Sequence, residues 1–311
     1  MGSVRDGFNV VTGAFGYIGK YIARRLLAEG KNVKTLTNHP ERPNSFDKQI
    51  CVAPLDFDDF DSLANFMVGA RVLFNTYWVR FEHGGKTFAQ AVANTKKLVR
   101  AAEHSGVRRI VHISIANPSL DSPLSYYRGK AEVEEAIRGS RLTYAILRPT
   151  VAFGLEDILI NNIAWMLRRF PFFAVPGNGN YGVQPVFVED LAGLAVAASE
   201  RNDCEILNAV GPETFTFNEL VKKISAGIGR RAHLVHVPPG LSLFLTRLIG
   251  FCVRDVILTS EEIDGLLANL LVSREEPTCV TRFSDWLREN ASKLGKSYAS
   301  ELQRHFRGVE H

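Results

Sequence analysis

The stretch FNVVTGAFGYIGKYIARRLL, residues 8–27, places three glycines between an apolar run and a helix-forming run. The β-branched run predicts a short buried strand, and the apolar residues after the glycines recur at the spacing of a helix over 17–29. Glycine loses backbone entropy and packing, so Gly13, Gly16 and Gly19 indicate a turn whose geometry requires glycine. A strand, a glycine turn and a helix open a nucleotide-binding unit, in which the helix start holds a pyrophosphate. Ordinary strand–helix connections also use glycine, so the triplet needs support from other residues.

The composition is that of a globular chain with an ample core. Of the 311 residues, 46% are hydrophobic and 23% are charged, which suits one large domain or two interlocked ones. The net charge is +4 and the basic residues are scattered, so no nucleic-acid partner is predicted. Four widely spaced cysteines without a CxxC predict reduced thiols, a cytoplasmic protein and no metal site. The opening residues MGSVRDG match neither a signal peptide nor a myristoylation pattern.

Strand and helix patterns alternate through the first half of the chain. The predicted strands cover 8–12, 32–37, 49–54, 72–76, 109–114 and 143–147, and the predicted helices cover 17–29, 60–68, 86–105 and 126–138. Such alternation predicts an α/β fold with a parallel sheet covered by helices on both faces.

The second half of the sequence is less regular. FPFFAVPGNGNYG, residues 170–182, is rich in turn residues and is predicted to be a loop. Near the end of the chain, Thr259 and Glu262 predict a capping box at the start of a helix. Ser284 is predicted to cap a further helix and Gly295 to end it.

One segment of the second half is conspicuously apolar. LSLFLTRLIGFCV, residues 241–253, is too short to span a bilayer and contains Arg247. It predicts a helix buried between domains or subunits, and the alternative is an interfacial membrane helix. The alternative would give a membrane-peripheral protein, or one attached to a larger complex.

The stretch SYYRGKAEVEEAI, residues 125–137, places Tyr126 and Lys130 on the same face of a predicted helix. A tyrosine has a pKa of about 10, and a nearby ammonium lowers it, so Tyr126 is a candidate general acid or base. Tyr127 is only three residues from Lys130 and is the weaker candidate. Ser114 ends a predicted strand at the carboxyl edge, where open α/β sheets bind ligands, and its hydroxyl is a candidate donor to a substrate carbonyl.

The ordered set of these motifs resembles the short-chain dehydrogenase/reductase superfamily, in its extended and atypical, epimerase/dehydratase-like branches. TGAFGYIG stands for TGxxGxxG, GVRRIVHIS leads into Ser114, YYRGK stands for YxxxK, and ILRPTVAFG stands for the RPxxxxG stretch. VQPVFVEDLA and NAVGPETFTFNELVKKI match later family segments, so the resemblance runs from about residue 8 to 230. The remainder, with LTSEEIDGLLANLL, resembles the branch related to the nucleotide-binding accessory subunit of respiratory complex I.

The resemblance implies a Rossmann-type doubly wound parallel sheet with a smaller, mostly C-terminal substrate domain. The dinucleotide-binding domain would cover 1–152, with 183–210 returning to it, and the substrate domain would cover 153–311. The resemblance also implies a nicotinamide cofactor and assigns roles to individual residues. Ser114, Tyr126 and Lys130 would be catalytic, and Lys130 would also hold the nicotinamide ribose. The implied cofactor positions lie in the glycine turn, after the third and fourth strands and after the sixth: Gly13, Phe15, Gly16, Tyr17, Ile18, Gly19, Asp56, Phe57, Asn75, Thr76, Pro149 and Thr150. Asn94 matches a position that either supports the active site or lies on a helix surface.

The end of the second predicted strand bears on the choice of cofactor. NAD selectivity usually needs an acidic residue about twenty positions beyond the glycines, and Asn38 stands there instead. Arg42, with His39 nearby, could meet a 2′-phosphate, so NADP(H) is preferred and NAD(H) is the alternative. Glu41 is the counter-argument, since a shift of one helical turn would make it a ribose ligand.

The resemblance implies hydride transfer with Tyr126 exchanging the hydroxyl proton, and hence an NAD(P)-dependent oxidoreductase or epimerase/dehydratase-like enzyme acting on a small molecule. Tyr77, Trp78 and His83, together with Arg80, are substrate-lining candidates, and each also suits a structural or surface role. The 170–180 stretch is a candidate lid, and a homodimer is compatible with the sequence. The competing function is an NADP(H)-binding assembly or sensor protein without turnover, similar to the complex I accessory subunit and to NmrA-type regulators.

Overall fold

The computed structural model describes residues 7–46 and 48–305, without the side chain of residue 305. The chain forms two compact units. Unit 1 comprises Met1–Arg148 and Ala192–Leu207, and unit 2 comprises Pro149–Leu191 and Asn208–His311, in each case within the described residues. The observed division after residue 148 lies four residues before the predicted one, and the returning segment is shorter than the predicted 183–210.

The described part of the chain contains eleven helices and thirteen strands. The first elements are β1 (Phe8–Thr12), α1 (Tyr17–Ala28), β2 (Val33–Thr37), β3 (Ile50–Pro54), α2 (Phe60–Met67), β4 (Ala70–Asn75), α3 (Phe88–His104), β5 (Arg109–Ile113), α4 (Ser125–Arg138) and β6 (Thr143–Pro149). They are followed by β7 (Val151–Phe153), α5 (Leu159–Arg169), β8 (Phe172–Pro176), β9 (Gly182–Val183), β10 (Pro185–Phe187), α6 (Val188–Ser199) and β11 (Glu205–Ala209). The last are β12 (Phe215–Thr216), α7 (Phe217–Gly227), β13 (His233–Val237), α8 (Pro239–Val253), α9 (Ser260–Leu267), α10 (Phe283–Asn290) and α11 (Glu301–His305).

Unit 1 is built on a seven-stranded sheet in the order β3-β2-β1-β4-β5-β6-β11. The pairings from β1 to β6 are parallel. Val10 and Val11 are both fully buried although they point to opposite faces of β1, because helices cover both faces of the sheet. The predicted doubly wound α/β fold is therefore confirmed, with strand ends within about two residues of those predicted.

The core on one face of this sheet positions the candidate site. Alternate residues of the strands, such as Leu36, Leu73 and Ile110, pack against apolar side chains of α2, α3 and α4. The chain reverses its direction across the sheet between β1 and β4, and ligands of open α/β sheets bind at such a switch point, beside the carboxyl ends of the strands.

Unit 2 contains three two-stranded sheets, β7 with β10, β8 with β13, and β9 with β12. Its core is aromatic: the ring of Phe153 lies 5.1 Å from the rings of both Phe283 and Trp286. The predicted capping box is confirmed, since the Thr259 side chain accepts from the Glu262 N–H and the Glu262 side chain accepts from the Thr259 N–H.

Three local predictions in the second half are wrong. The 170–182 stretch contains β8, because its turn-like residues pair in parallel with β13, a strand far along the chain that local sequence could not reveal. Arg282, not Ser284, is the N-cap of α10, and the Ser284 hydroxyl donates to Glu213 instead. Helix α10 ends at Asn290, so Gly295 lies in the turns beyond the helix.

The apolar 241–253 segment forms most of α8, as predicted, but the chain does not enclose it. Of its residues only Ser242 and Gly250 are buried. Within residues 7–46 and 48–305, no helix is long and apolar enough to cross a membrane.

The cysteines and acidic side chains provide no metal centre in the described part of the chain. No three His, Cys, Asp or Glu residues there are grouped so that they could hold a metal ion. The four cysteines are free thiols, of which only Cys279 is buried.

Candidate functional site

The glycine turn between β1 and α1 has the shape of an anion cradle. Gly13 has a φ of +67°, a left-handed conformation that favours glycine. A Cβ added at Gly19 would lie 2.3 Å from the Gly13 carbonyl oxygen, so the turn and the helix approach too closely for a side chain. Gly16 is the N-cap of α1, where neither a capping side chain nor an acidic residue is present. Because the N–H groups and dipole of such a helix start attract phosphate, the turn fits the pyrophosphate of a dinucleotide.

Hydrogen bonds join the turn to the end of β4. The Thr12 hydroxyl accepts from the Thr76 N–H at 2.8 Å, and the Thr76 hydroxyl donates to the Thr12 carbonyl at 2.6 Å. The Thr12 hydroxyl also donates to Asn75 Oδ1 at 3.1 Å. The predicted cofactor residues Gly13, Asn75 and Thr76 are thus brought together at the switch point of the sheet.

His112 in β5 continues this row of buried polar side chains. Asn75 Oδ1 accepts from the Tyr77 N–H, so the Asn75 amide nitrogen donates to His112 Nδ1 at 3.1 Å. The proton of the neutral ring therefore lies on Nε2, which is buried and has no hydrogen-bond partner among the described residues. Burial, followed by the charge of Lys130, lowers the pKa of His112 well below 6.5 and keeps the ring neutral. An unsatisfied donor at this position is compatible with a polar ligand beside it.

Ser114 follows β5, and its hydroxyl is bound to Glu134 of α4. The Ser114 Oγ donates to Glu134 Oε1 at 2.5 Å. Arg148, near the end of β6, donates to the same carboxylate. Its Nε lies 3.1 and 3.2 Å from the two carboxylate oxygens, and a terminal nitrogen lies 2.5 Å from one of them. The single hydroxyl proton of Ser114 is therefore directed to a carboxylate in this structure, and not to the open edge of the sheet.

Lys130 is buried on the same face of α4, one turn before Glu134. Its Nζ donates to the Ile113 carbonyl at 3.0 Å and lies 4.5 Å from the centre of the Trp78 ring. Burial lowers the pKa of Lys130 from 10.5 to about 7, and the negative charge of Glu134 opposes this change. The amine can therefore change its charge close to neutral pH.

Tyr126 belongs to an aromatic cluster beside Lys130. Its ring lies edge-on to Trp78 at 5.9 Å and to Phe88 at 5.5 Å. Trp78 packs so closely on α4 that a Cβ added at Gly129 would lie 3.1 Å from it. Tyr126 is half-buried, whereas Tyr127 is buried, so Tyr126 is the more accessible of the two phenols. Tyr126 and Lys130 thus both contact one indole, whose Nε1 is buried without a hydrogen-bond partner in the described chain.

The residues assigned to the adenosine end of the cofactor lie at the ends of β2 and β3. Asn38 is exposed and Arg42 is half-buried. Asp56 is also exposed and accepts from the Asp58 N–H at 2.9 Å. Phe57 is half-buried, with its ring 4.8 Å from that of Tyr77. At the end of β2, Asn38 occupies the position at which NAD-selective proteins usually carry an acidic residue.

The predicted substrate residues in the loop after β4 differ in their burial and in their contacts. The Tyr77 hydroxyl accepts from Asn94 Nδ2 at 3.0 Å, which places Asn94 against this loop, and burial raises the pKa of Tyr77. His83 is exposed, belongs to an antiparallel bridge with Lys86, and has its ring 6.3 Å from that of Phe81. Arg80 is half-buried.

The remaining predicted cofactor residues lie at the glycine turn and at the end of β6. Phe15, Tyr17 and Ile18 are all half-buried, and the Phe15 ring stacks near Phe46 at 6.3 Å. Pro149 and Thr150 belong to unit 2. The Thr150 hydroxyl is buried and lacks a hydrogen-bond partner among the described residues.

The sequence interpretation missed three residues of this site, Glu134, Arg148 and His112. Glu134 follows Tyr126 and Lys130 at the same four-residue interval, so the spacing could have indicated it. Strand alternation could have placed His112 on the face of Ser114. Only the fold brings Arg148 to Glu134, because they lie on different elements.

Comparisons with known proteins agree with this geometry. Residues 13–154, just under half of the chain, match a family model of NAD(P)H-binding domains. The matched residues therefore have the fold of an NAD(P)H-binding domain with a Rossmann-type sheet.

Curated relatives match most of the chain. NADH dehydrogenase (ubiquinone) 1 alpha subcomplex subunit 9, mitochondrial, of Arabidopsis thaliana is 28% identical over 283 residues, which cover 85% of this chain and 70% of that protein. The Mus musculus protein of the same name is 28% identical over 267 residues, covering 80% and 67%. The chain is homologous to these complex I subunits, so the predicted resemblance to the atypical short-chain dehydrogenase/reductases and to this accessory subunit is confirmed.

A solved structure shows the same fold. UDP-glucose 4-epimerase from Brucella ovis in complex with NAD superposes with a TM-score of 0.63 at 18% identity, over 76% of this chain and 91% of that chain. At this identity the likeness establishes the architecture alone.

Proposed function

We propose that the chain holds NADP(H), in preference to NAD(H), with the pyrophosphate on the turn of Gly13, Gly16 and Gly19. The support is the close approach of Gly19 to the Gly13 carbonyl, which leaves room for backbone but not for a side chain. Asn38 offers no carboxylate to the ribose hydroxyls, whereas Arg42 offers a guanidinium to a 2′-phosphate.

The function that the geometry supports best is an oxidoreductase or epimerase-like enzyme of the short-chain dehydrogenase type, with Tyr126 as acid/base. The observation that carries it is the contact of both Tyr126 and Lys130 with the Trp78 indole, which keeps phenol and amine on one side of α4. When bound, the nicotinamide would supply or accept the hydride.

The hydrogen bonds of the site suggest different roles in proton transfer for Ser114, Tyr126 and Lys130. The Ser114 hydroxyl donates its hydrogen bond to Glu134, so Ser114 can accept a hydrogen bond from a substrate hydroxyl but must rotate to donate one. Tyr126 is left as the proton donor to a developing alkoxide. Protonated Lys130 would stabilise the phenolate of Tyr126. Above neutral pH this stabilisation would weaken, because the pKa of Lys130 is about 7 and the amine loses its charge.

A second function, an NADP(H)-binding assembly or sensor protein without turnover, has its own support. Ser114, Glu134 and Arg148 satisfy one another, and Lys130 already donates to a backbone carbonyl, so a substrate would have to displace bonds that exist. The relatives are named as subunits of NADH dehydrogenase rather than as separate enzymes. In this function the chain would be part of a larger complex and would respond to whether its cofactor is oxidised or reduced.

Replacing Tyr126 with Phe separates the two functions. The parent protein and Tyr126→Phe are incubated with NADPH or NADH and a panel of carbonyl compounds and sugar nucleotides, while cofactor absorbance is followed. The enzyme predicts turnover that falls by at least about a hundredfold in Tyr126→Phe and is kept in the matched control Tyr127→Phe. An unchanged rate in Tyr126→Phe would remove this residue from the chemistry. Tight cofactor binding without turnover by the parent would establish the binding protein instead.

The cellular setting is part of the proposal. We infer a cytoplasmic protein with peripheral attachment to a membrane or complex through 241–253, and a homodimer is compatible with the described fold. Attachment to a complex has support in the names of the relatives, which are mitochondrial. Fractionation of cells expressing the tagged full chain would test it, with recovery in the soluble fraction alone counting against attachment.

A further inference from the structure

Helix α8 carries large apolar side chains on its outer face. At about 100° per residue, Leu241, Phe244, Leu248 and Phe251 lie within an arc of about 80°. Their exposed fractions are 45%, 62%, 57% and 84% respectively. We call these four residues the outer stripe. An exposed apolar stripe of this size is unusual on a surface helix and marks a site of interaction.

The inner face of α8 shows why the stripe points outward. Ser242 and Gly250 are the buried positions, and Thr246 on this face donates its hydroxyl to the Ser242 and Leu243 carbonyls. The half-buried apolar residues Ile249 and Val253 lie on this same face, so α8 packs on the protein through its inner side. The four residues of the outer stripe lie on the opposite side and stay exposed, so packing within the described part of unit 2 does not account for them.

The charged residues of the segment that contains the stripe are all basic. No Asp or Glu occurs between Lys222 and Arg254, and the segment contains six basic residues: Lys222, Lys223, Arg230, Arg231, Arg247 and Arg254. Arg247 falls beside one edge of the stripe on the helical projection, and the exposed Arg254 is the C-cap that ends the helix. The next acidic residue, Asp255, is buried and accepts from the Glu301 and Leu302 N–H groups, so it does not offset the basic edge at the surface.

We propose that the outer stripe of α8 docks on an anionic lipid bilayer, lying in the plane of the membrane surface. An apolar face flanked by arginines, on a helix too short to span, is the composition of an interfacial helix. The aromatic and leucine side chains would enter the acyl boundary while Arg247 and Arg254 reach anionic headgroups. A second copy of the chain is a poorer occupant, since a symmetric α8–α8 contact would bring these arginines together without a counter-charge in the segment.

Vesicle flotation of the full chain tests the proposal without any use of the cofactor. The parent protein should float with vesicles of mixed phosphatidylcholine and phosphatidylglycerol, and much less with phosphatidylcholine alone. A Phe244→Ser/Phe251→Ser double variant should lose at least about tenfold in bound fraction, because it removes the two most exposed residues of the stripe. Arg247→Glu should reduce the preference for the anionic vesicles. Val68→Ser, at an equally apolar exposed position in unit 1, is the matched control and should float like the parent.

Two results would overturn the proposal. One is flotation of the double variant equal to that of the parent. The other is a parent dimer, measured by light scattering, that becomes a monomer in the double variant while neither protein floats, which would make a second copy the occupant. Unchanged circular dichroism and unchanged NADPH binding in the double variant keep misfolding and failure of the cofactor site distinguishable from loss of membrane docking.

Discussion

The replacement Glu134→Gln removes one charge from the centre of the candidate site while keeping the shape of the side chain. Glu134 accepts from Ser114 and is gripped by Arg148 through three contacts of 2.5 to 3.2 Å. The amide of the variant can still accept from Ser114. It cannot balance the charge of Arg148, so the variant tests the ion pair more than the hydrogen bond to the serine.

The size of the effect follows from burial. Removing one partner of a buried ion pair costs about 3–5 kcal/mol. The Glu134 side chain is 4% exposed, but that of Arg148 is 28% exposed and keeps some access to water. We therefore expect a loss near the lower end, about 3 kcal/mol.

Urea unfolding followed by circular dichroism measures this loss. The matched control is Glu135→Gln, the adjacent residue of α4, whose side chain is 53% exposed and pairs with Arg138 on the surface. An exposed pair contributes about 0.2–1 kcal/mol, so the control should unfold nearly like the parent. If Glu134→Gln cost no more than Glu135→Gln, the ion pair would not be the structural element that we describe.

Three further changes give distinct outcomes. Arg42→Ala should weaken NADPH binding by about tenfold or more and leave NADH binding nearly unchanged in a fluorescence titration; an equal loss for both would refute the 2′-phosphate contact. Burial lowers the pKa of Lys130 from 10.5 to about 7, so this group makes the folded chain more stable as pH rises from about 7 toward 10. Lys130→Met should remove that slope from urea midpoints measured across this window, and an identical slope would contradict it. Burial raises the pKa of Asp157 from 3.8 to about 7, so its contribution to stability falls as pH rises from about 4 to 7. Asp157→Asn should flatten the midpoints over that window, whereas an unaltered pH dependence would count against a buried protonated carboxyl.

The parts of the fold that local sequence determines could be predicted. The alternating patterns of the first half predicted the parallel sheet, because apolar periodicity and glycine positions are local signals. The capping box at Thr259 is equally local. Strand β8 was missed because its pairing partner, β13, lies about sixty residues away and its own residues are typical of turns.

The candidate site was predictable to a similar extent. The glycine turn and the Tyr126–Lys130 spacing follow from the sequence, and both lie where the sheet topology brings ligands. The attachment of Ser114 to Glu134 could not be predicted, since it depends on the approach of α4 to the end of β5. The depressed pKa of Lys130 likewise requires its burial, which no pattern of residues reveals.

A titration of the glycine turn tests the central claim most directly. A Cβ at Gly19 would lie 2.3 Å from the Gly13 carbonyl oxygen, whereas a Cβ at Gly193, in α6, would meet nothing within 4 Å. We predict that the parent and Gly193→Ala bind one NADPH per chain with equal affinity, and that Gly19→Ala loses about tenfold or more while remaining folded. Undiminished binding by Gly19→Ala, or no binding by the parent, would contradict a dinucleotide on this turn.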